Sequence, residues 1–461
     1  MVPERFQPLV DETAELARRF EAAGHRLYLV GGVVRDAMLD RERQEEDDID
    51  LTTDARPEEI LASVEGWADA IWEQGRRFGT IGFRHHGRTH EVTTHRAEAY
   101  SPDSRKPDVA FATDVEVDLS RRDFTVNAMA LSLPDLRLVD PFHGLDDLAA
   151  RRLRTPLSPD ESFTDDPLRM LRAARFMAGY GLEPDEALID AVKRLHGRLE
   201  IVSAERVRDE LDKLVVAAEP GTGLWFVVRT GLADEFLPEL PALEVEQDPI
   251  HRHKDVLAHT IAVVEKASPD RVLRLACLLH DVGKPKTRSI GPGGVSFHHH
   301  EMVGARMTRD RMRALRYSTQ DVEDVSRLVE LHLRFHTYQM GWTDSAVRRY
   351  VRDAGPLLDR LNELTRCDCT TRNVRRAAVL SRRMDELERR IAELTEREEL
   401  DSIRPELDGV AVMARLGIPP SRDVGLALDF LLELRMEEGL LGPDEAALRL
   451  DEWWAENRPR P

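Results

Sequence analysis

Short hydrophobic runs alternate with turn residues along the first third of the chain. Leu27 to Val30 is a continuous hydrophobic run ending at Gly31-Gly32, and Val33 to Leu39 then shows helical character, so a strand, a tight turn and a helix are predicted in that order. Ile49 to Thr52, Thr80 to Arg84, Glu91 to Thr94 and Leu136 to Val139 are further predicted strands, bounded by Gly, Asp and Pro. After Arg154 the period changes. Pro167 to Ala178, Pro184 to Leu195, Ala204 to Ala217, Asp255 to Lys266 and Asp270 to Leu279 read as helices, and helix follows helix to Glu456 with no strand-rich stretch. The pattern is that of an α+β chain. The Glu/Arg-rich segment Glu386 to Glu399 reads as a solvated helix between domains.

Length and composition narrow this picture. A chain of 461 residues suits three or four domains, and 41% hydrophobic with 33% charged residues makes it globular. No apolar run approaches a bilayer span, the best being interrupted stretches such as Val272 to Leu279. Met1 to Leu16 carries Glu4, Asp11, Glu12 and Glu15, so it lacks the apolar block of a secretory signal, and a cytoplasmic location is expected. Cys277, Cys367 and Cys369 can build neither a disulfide framework nor a C-x-x-C site. A formal charge of -20 argues against binding nucleic acid through the overall field. Two local arginine runs remain, Arg306 to Arg316 and Arg372 to Arg383, readable as solvated helix faces or as RNA contacts.

Asp48-Ile49-Asp50 lies on a predicted strand shortly after the Gly31-Gly32 turn. Residues i and i+2 of a strand face the same way about 7 Å apart, so both carboxylates can converge while Ile49 points into the core. Hard oxygen ligands at that spacing suit Mg²⁺, and two such ions would clamp the attacking and leaving oxygens of a phosphoryl displacement. Taken alone, the pair with Asp47 beside it reads equally as a solvated acidic turn. Glu91 is a candidate third carboxylate from a neighbouring strand. The turn also offers backbone N–H groups and a positive helix end to a triphosphate, with Arg35 one turn in; an ordinary strand-to-helix turn is the competing reading.

Six motifs then occur in one order: Leu29-Val30-Gly31-Gly32-Val33-Val34-Arg35-Asp36; Asp48-x-Asp50; Arg121-Arg122-Asp123-Phe124-Thr125-Val126-Asn127-Ala128; Asp140-Pro141-Phe142-His143-Gly144-Leu145-Asp146-Asp147-Leu148; Asp165-Asp166-Pro167-Leu168-Arg169; and Ala204-Glu205-Arg206-Val207-Arg208-Asp209-Glu210-Leu211. In these the chain resembles the class II tRNA nucleotidyltransferases, the CCA-adding enzymes and their bacterial poly(A) polymerase relatives. The resemblance implies a polymerase-β-like nucleotidyltransferase palm of mixed sheet and helices over 1–150, then an all-α neck over 151–245 that selects the nucleotide. An HD domain over 246–370 and a helical tRNA-binding tail over 371–461 follow. The implied reaction builds the 3′ CCA end of tRNA from CTP and ATP without a nucleic-acid template. The tRNA 3′ hydroxyl, activated by Mg²⁺ on Asp48 and Asp50, attacks the α-phosphorus and pyrophosphate leaves; neither membrane nor DNA takes part. Narrower relatives stay open: an A-adding enzyme, a CC-adding enzyme or a poly(A) polymerase. Gln74-Gly75-Arg76-Arg77-Phe78-Gly79 resembles a basic stretch of the polyadenylating relatives, whereas Gly79-Thr80-Ile81 resembles the CCA-adding pattern.

Asp166 and Arg169 stand three apart on a predicted helix, so they share a face and can present an acceptor beside a donor fork. Cytosine and adenine both offer an exocyclic amine and a ring acceptor, whereas uracil and guanine place a carbonyl where the amine should be. Protein side chains could thus act as the template, and the resemblance assigns this role to Asp166 and Arg169, with Arg172 and Arg175 near the triphosphate. At 100° per residue Arg175 lies opposite Asp166, and a helix N-cap before Pro167 is the competing reading of Asp166. Gly32, Arg35, Arg122 and Asp123 complete the candidate nucleotide site, Arg122 as a triphosphate donor and Asp123 holding that arginine or the ribose.

A second constellation comprises His259, His280-Asp281, His300, His332 and Asp368. His280-Asp281-Val282-Gly283-Lys284 resembles the central motif of HD-family metal phosphohydrolases, with His259 upstream and Asp368 downstream in the matching order. Neutral imidazoles with carboxylates suit Mn, Ni, Fe or Mg with an open water position, and His300 with His332 could complete a second metal site. His332 or His336 alone reads as a core histidine. The rival to nucleotide addition is an HD phosphohydrolase acting on 2′,3′-cyclic phosphates or 2′-nucleotides.

Overall fold

All four residues of β1 (Leu27–Val30) are buried, and the strand ends where Gly31 turns with φ at +72°, a backbone state that side chains beyond glycine rarely adopt. The computed structural model describes residues 4–41, 48–101, 104–245, 255–291, 294–340, 342–369, 374–398 and 404–457, so Asp47 and Arg372 lie outside the described residues. After β1 come β2 (Ile49–Thr53), β3 (Ala70–Trp72), β4 (Thr80–His85) and β5 (Arg88–Thr94). An antiparallel ribbon, β6 (Arg96–Ser101) with β7 (Ser104–Phe111), precedes β8 (Ala130–Leu133) and β9 (Leu138–Val139). Seven strands form one sheet in the order β3-β4-β5-β2-β1-β8-β9, antiparallel throughout except where β2 runs parallel to β5.

The predicted strand over 136–139 shortens to β9 because Leu136 takes a positive φ of 54° in the turn after β8. The ribbon β6–β7 went unpredicted because its sequence mixes charged and small residues without an apolar alternation.

The chain divides into two compact units, Met1–Pro241 and Ala242–Pro461. In the first, the short helix Val115–Ser120 packs Val115 and Leu119 onto Tyr28, Val30, Ala128 and Ala130 of the sheet side. The helix Leu168–Tyr180 follows with eight buried residues and closes at Gly181 in the left-handed conformation. In the second unit, Asp255 and Asp270 cap the helices Val256–Lys266 and Arg271–Leu279 through their side chains. Its last three helices, Gly409–Leu416, Arg422–Glu438 and Pro443–Asn457, share a core of Val412, Val424, Ala427, Leu431, Ala446 and Leu450. Helices dominate after Arg154 as expected, joined by two short ribbons: β10 (Arg152–Leu153) beside β11 (Glu183–Pro184), and β12 (Arg288–Gly291) beside β13 (Gly294–Phe297). Each strand has at most four residues, too few to establish a period of two. No helix among the described residues is long and apolar enough to cross a membrane.

Candidate functional site

Parallel pairing of β2 with β5 sets Asp50 directly opposite Glu91, while Ile49 is fully buried and Asp48 is exposed just before the strand. Burial, then Asp50 and Asp48, push the Glu91 carboxyl above its ordinary range, as expected where three carboxylates crowd two paired strands. The donor set is three hard oxygen ligands, which fits a divalent cation such as Mg²⁺. A Cβ built on Gly31 would stand 3.0 Å from Arg122 Nη1 and 3.8 Å from Asp50 Oδ2. The bare turn therefore lets an arginine and a metal-type carboxylate meet at the same point. A glutamate with a raised pKa favours folding below its unfolded value and loses that contribution as pH rises. Glu91→Gln should thus raise the metal-free Tm at pH 7 and leave it unchanged near pH 4, while lowering nucleotide incorporation about 100-fold; an unaltered pH dependence of Tm would remove Glu91 from the cluster.

The Arg122 guanidinium is held from behind. Asp118, fully buried on the helix Val115–Ser120, takes Arg122 Nη2 at 3.1 Å and Arg121 Nη2 at 2.7 Å. Burial alone would raise the Asp118 carboxyl, but Arg121 and Arg122 overcome it and hold it down to about 2.

Four further charges alternate in sign. Arg172 donates to Asp123 at 2.9 Å and to Glu210 at 3.2 Å, and Arg175 Nε reaches the other oxygen of Glu210 at 2.7 Å. Asp123 also accepts from Asn127 at 2.9 Å; burial opposes its ionisation, but Arg172 and Asn127 hold the carboxyl well below the usual range. Arg175 joins this row through Glu210.

Asp166 sits between the helices Pro159–Asp165 and Leu168–Tyr180. Its Oδ1 accepts from the Leu168 N–H at 3.2 Å, at the start of a helix whose N-cap position is Pro167, and its Oδ2 accepts from Arg206 at 2.8 Å. Arg169 is buried and donates to Ser162 Oγ at 2.9 Å and to the Arg121 carbonyl. The two candidate template residues are thus both anchored. A carboxylate retains acceptor sites beyond two hydrogen bonds, which leaves Asp166 able to accept an amine.

Arg35 is only 6% exposed, donates to Asp36, to Asn127 at 2.6 Å and to the Tyr180 hydroxyl, and lies over the Tyr180 ring at 4.1 Å. Its guanidinium ties the Gly31-Gly32 turn to the helix Leu168–Tyr180. A Cβ on Gly32 would lie 3.4 Å from its Nη2, so Gly32 gives this guanidinium room.

In the second unit, His259 lies within the helix Val256–Lys266 and helix ends deliver the other ligand candidates. His280 and Asp281 follow the helix Arg271–Leu279, His300 opens His300–Ala314, His332 follows Thr319–Leu331 and Asp368 closes Leu358–Asp368. Gly283 makes the approach possible: a Cβ there would lie 2.2 Å from the His300 carbonyl oxygen. His259 Nε2 is 2.9 Å from Asp368, and His280 Nε2 and His300 Nε2 lie 3.2 and 3.4 Å from Asp281. The Nδ1 atoms of His280, His300 and His332 face the carbonyls of Cys277, Phe297 and Val329 at 2.7, 2.8 and 2.6 Å. Their Nε2 atoms are buried without a hydrogen bond. That pattern, one nitrogen fixed by a carbonyl and the other aimed inward, is how metal-ligating histidines are oriented. Two triads converge, His259–His280–Asp368 and Asp281–His300–His332, and their nitrogen and oxygen donors fit divalent metals. Burial disfavours charge on His280, but Asp281 and Asp368 outweigh it and push the imidazole up to about 10; burial and then His280 push His332 down to about 3. Lys284, at 2.6 Å from Asp281, adds a further cation at the cluster.

Three family models match: a poly A polymerase head domain over residues 27–154, a probable RNA- and SrmB-binding site of polymerase A over 181–243, and an HD domain over 256–396. The A-adding tRNA nucleotidyltransferase of Deinococcus radiodurans is 36% identical over 366 residues, covering 76% of this chain and 82% of that one. The chain belongs to the tRNA nucleotidyltransferase family. The enzyme is also 39% identical over 232 residues to the CCA-adding enzyme of Limosilactobacillus reuteri, where the match covers 50% of this chain and about half (55%) of the relative. Its fold is that of the Bacillus stearothermophilus CCA-adding enzyme solved in complex with CTP, with a TM-score of 0.71, 22% identity and 99% of both chains covered.

Sequence reasoning missed several partners in this enzyme. Arg206 lay inside a recognised motif, and only its pairing with Asp166 was unknown. Asp118 and Tyr180 carried no motif, although an acidic residue three positions before Arg121 is a legible helix-pair signal.

Proposed function

We propose that this tRNA nucleotidyltransferase adds the full CCA end, using CTP and ATP on tRNA in the cytoplasm. The observation that carries nucleotidyl transfer is the Asp48, Asp50 and Glu91 cluster meeting Arg122 at the Gly31 turn, and likeness to CCA-adding enzymes supports the full product. Mg²⁺ held by these carboxylates would supply activation of the tRNA 3′ hydroxyl and charge neutralisation at the leaving pyrophosphate. Arg122 donates to the triphosphate, Asp166 accepts the exocyclic amine of cytosine or adenine, and Arg169 donates to the ring acceptor. The arginine-bearing helices His300–Ala314 and Val374–Glu398 supply cations for the tRNA backbone, which position without reading sequence. The free thiols of Cys277, Cys367 and Cys369 accord with a reducing compartment.

The decisive experiment supplies purified enzyme and Mg²⁺ with a tRNA transcript lacking its last three nucleotides, and reads product length at single-nucleotide resolution. Two C and then one A, with arrest there, is the expected result. A second reading, addition of A alone after CC, is favoured by the Deinococcus relative, whose match covers 76% of the chain; it predicts no product from CTP. Asp166→Ala should raise UTP and GTP incorporation relative to CTP and ATP about 10- to 100-fold, because uracil and guanine would no longer face a desolvated carboxylate with a carbonyl. Unchanged discrimination would leave Asp166 as a helix cap alone. For the histidine cluster we propose a bound divalent metal, Mn, Ni, Fe or Mg, with hydrolysis of cyclic phosphates as its accessory chemistry.

A further inference from the structure

Asp118 stands apart from the Asp48, Asp50 and Glu91 carboxylates, yet its side chain accepts from both Arg121 and Arg122. We infer that Asp118 is a positioning residue for nucleotide binding, an anchor that indexes the triphosphate-binding arginine against the Gly31 turn. This inference rests on the nucleotidyltransferase reading above.

The argument begins with the helix. Val115 and Leu119 lock Val115–Ser120 onto the sheet, so Asp118 is set by core packing and its carboxylate has no exposure. Each carboxylate oxygen then takes a different arginine: Oδ1 receives Arg121 and Oδ2 receives Arg122. With Nη2 spent on Asp118, Arg122 directs Nη1 to the point where a Gly31 Cβ would stand, beside Asp50. The Arg121 main chain faces the other way, its carbonyl accepting from Arg169. One buried carboxylate therefore fixes a segment that touches the Gly31 turn on one side and the base-reading helix on the other. Without its charge, two guanidinium groups, each under a fifth exposed, would lose the carboxylate they share.

The test measures kcat and KM for CTP, and the Kd for tRNA, in wild type, D118N, R122A and the double variant D118N/R122A. D118N is expected to raise the CTP KM about tenfold with a smaller change in kcat and unchanged tRNA Kd, and the double variant should be no worse than R122A, as coupled residues require. An unchanged KM, or penalties that simply multiply in the double variant, would overturn the inference. Should D118N fail to fold, D118E keeps the charge but displaces the fork by one methylene, and it should show the same KM rise with an intact circular dichroism spectrum. A normal KM in D118E would likewise overturn it. Absence of nucleotide addition by the wild-type enzyme would instead reject the nucleotidyltransferase reading itself.

Discussion

Replacing Asp48 and Asp50 together by Ala should reduce nucleotide incorporation at least about 1000-fold while tRNA affinity stays within about twofold. The size of the effect follows from where these carboxylates stand. Asp50 is opposite Glu91 across a parallel strand pair, and Asp48 is near enough to raise the Glu91 carboxyl with it. Like charges crowded together oppose folding unless a cation joins them. The double variant should therefore match or exceed the wild-type Tm in the absence of divalent metal, and only the wild type should gain stability when Mg²⁺ is added. That combination separates loss of chemistry from loss of fold. Incorporation by the double variant at a rate near wild type would reject the palm assignment.

His280→Ala should lower divalent metal affinity at the histidine cluster by more than about 100-fold, read as metal content after dialysis, while CCA addition persists. His280 is fully buried, its Nδ1 is fixed by the Cys277 carbonyl, and its Nε2 faces Asp281 and Asp368. Any phosphohydrolase activity should disappear with the metal. Loss of nucleotide addition with metal retained would reverse the division of labour between the two constellations. His280→Gln, closer in volume and still polar, controls for the cavity that alanine leaves.

The chemistry was more legible than the scaffolding that aims it. Asp48-x-Asp50 and His280-Asp281 are local patterns, and strand or helix geometry fixes how such neighbours face each other. Gly31 and Gly283 were also visible, because a glycine in a motif signals a close approach even when the approaching atom is unknown. What could not be read was long-range pairing. Arg35 meets the Tyr180 hydroxyl across 145 residues of sequence, a partner that its position one turn into a helix does not indicate. Arg206 reaches Asp166 across 40 residues, and nothing local distinguished it from its neighbour Arg208, which pairs with Asp209. Glu91 lay between these extremes: its strand was predicted, but its place opposite Asp50 depends on a parallel register that no single strand encodes.

The row Asp123, Arg172, Glu210 and Arg175 has a consequence for how the enzyme can diverge. Its two acids and two arginines sum to zero only as a set. Loss of any one leaves an unbalanced, largely desolvated charge, a change worth about 3 to 5 kcal/mol where ion pairs are buried. A single substitution along the row would then remove a large part of a typical folding free energy of about 5 to 15 kcal/mol before any new specificity could be tried. Lineages could cross that barrier only by exchanging an acid and a base together, so the row should drift as linked pairs while the exposed residues around it vary one at a time.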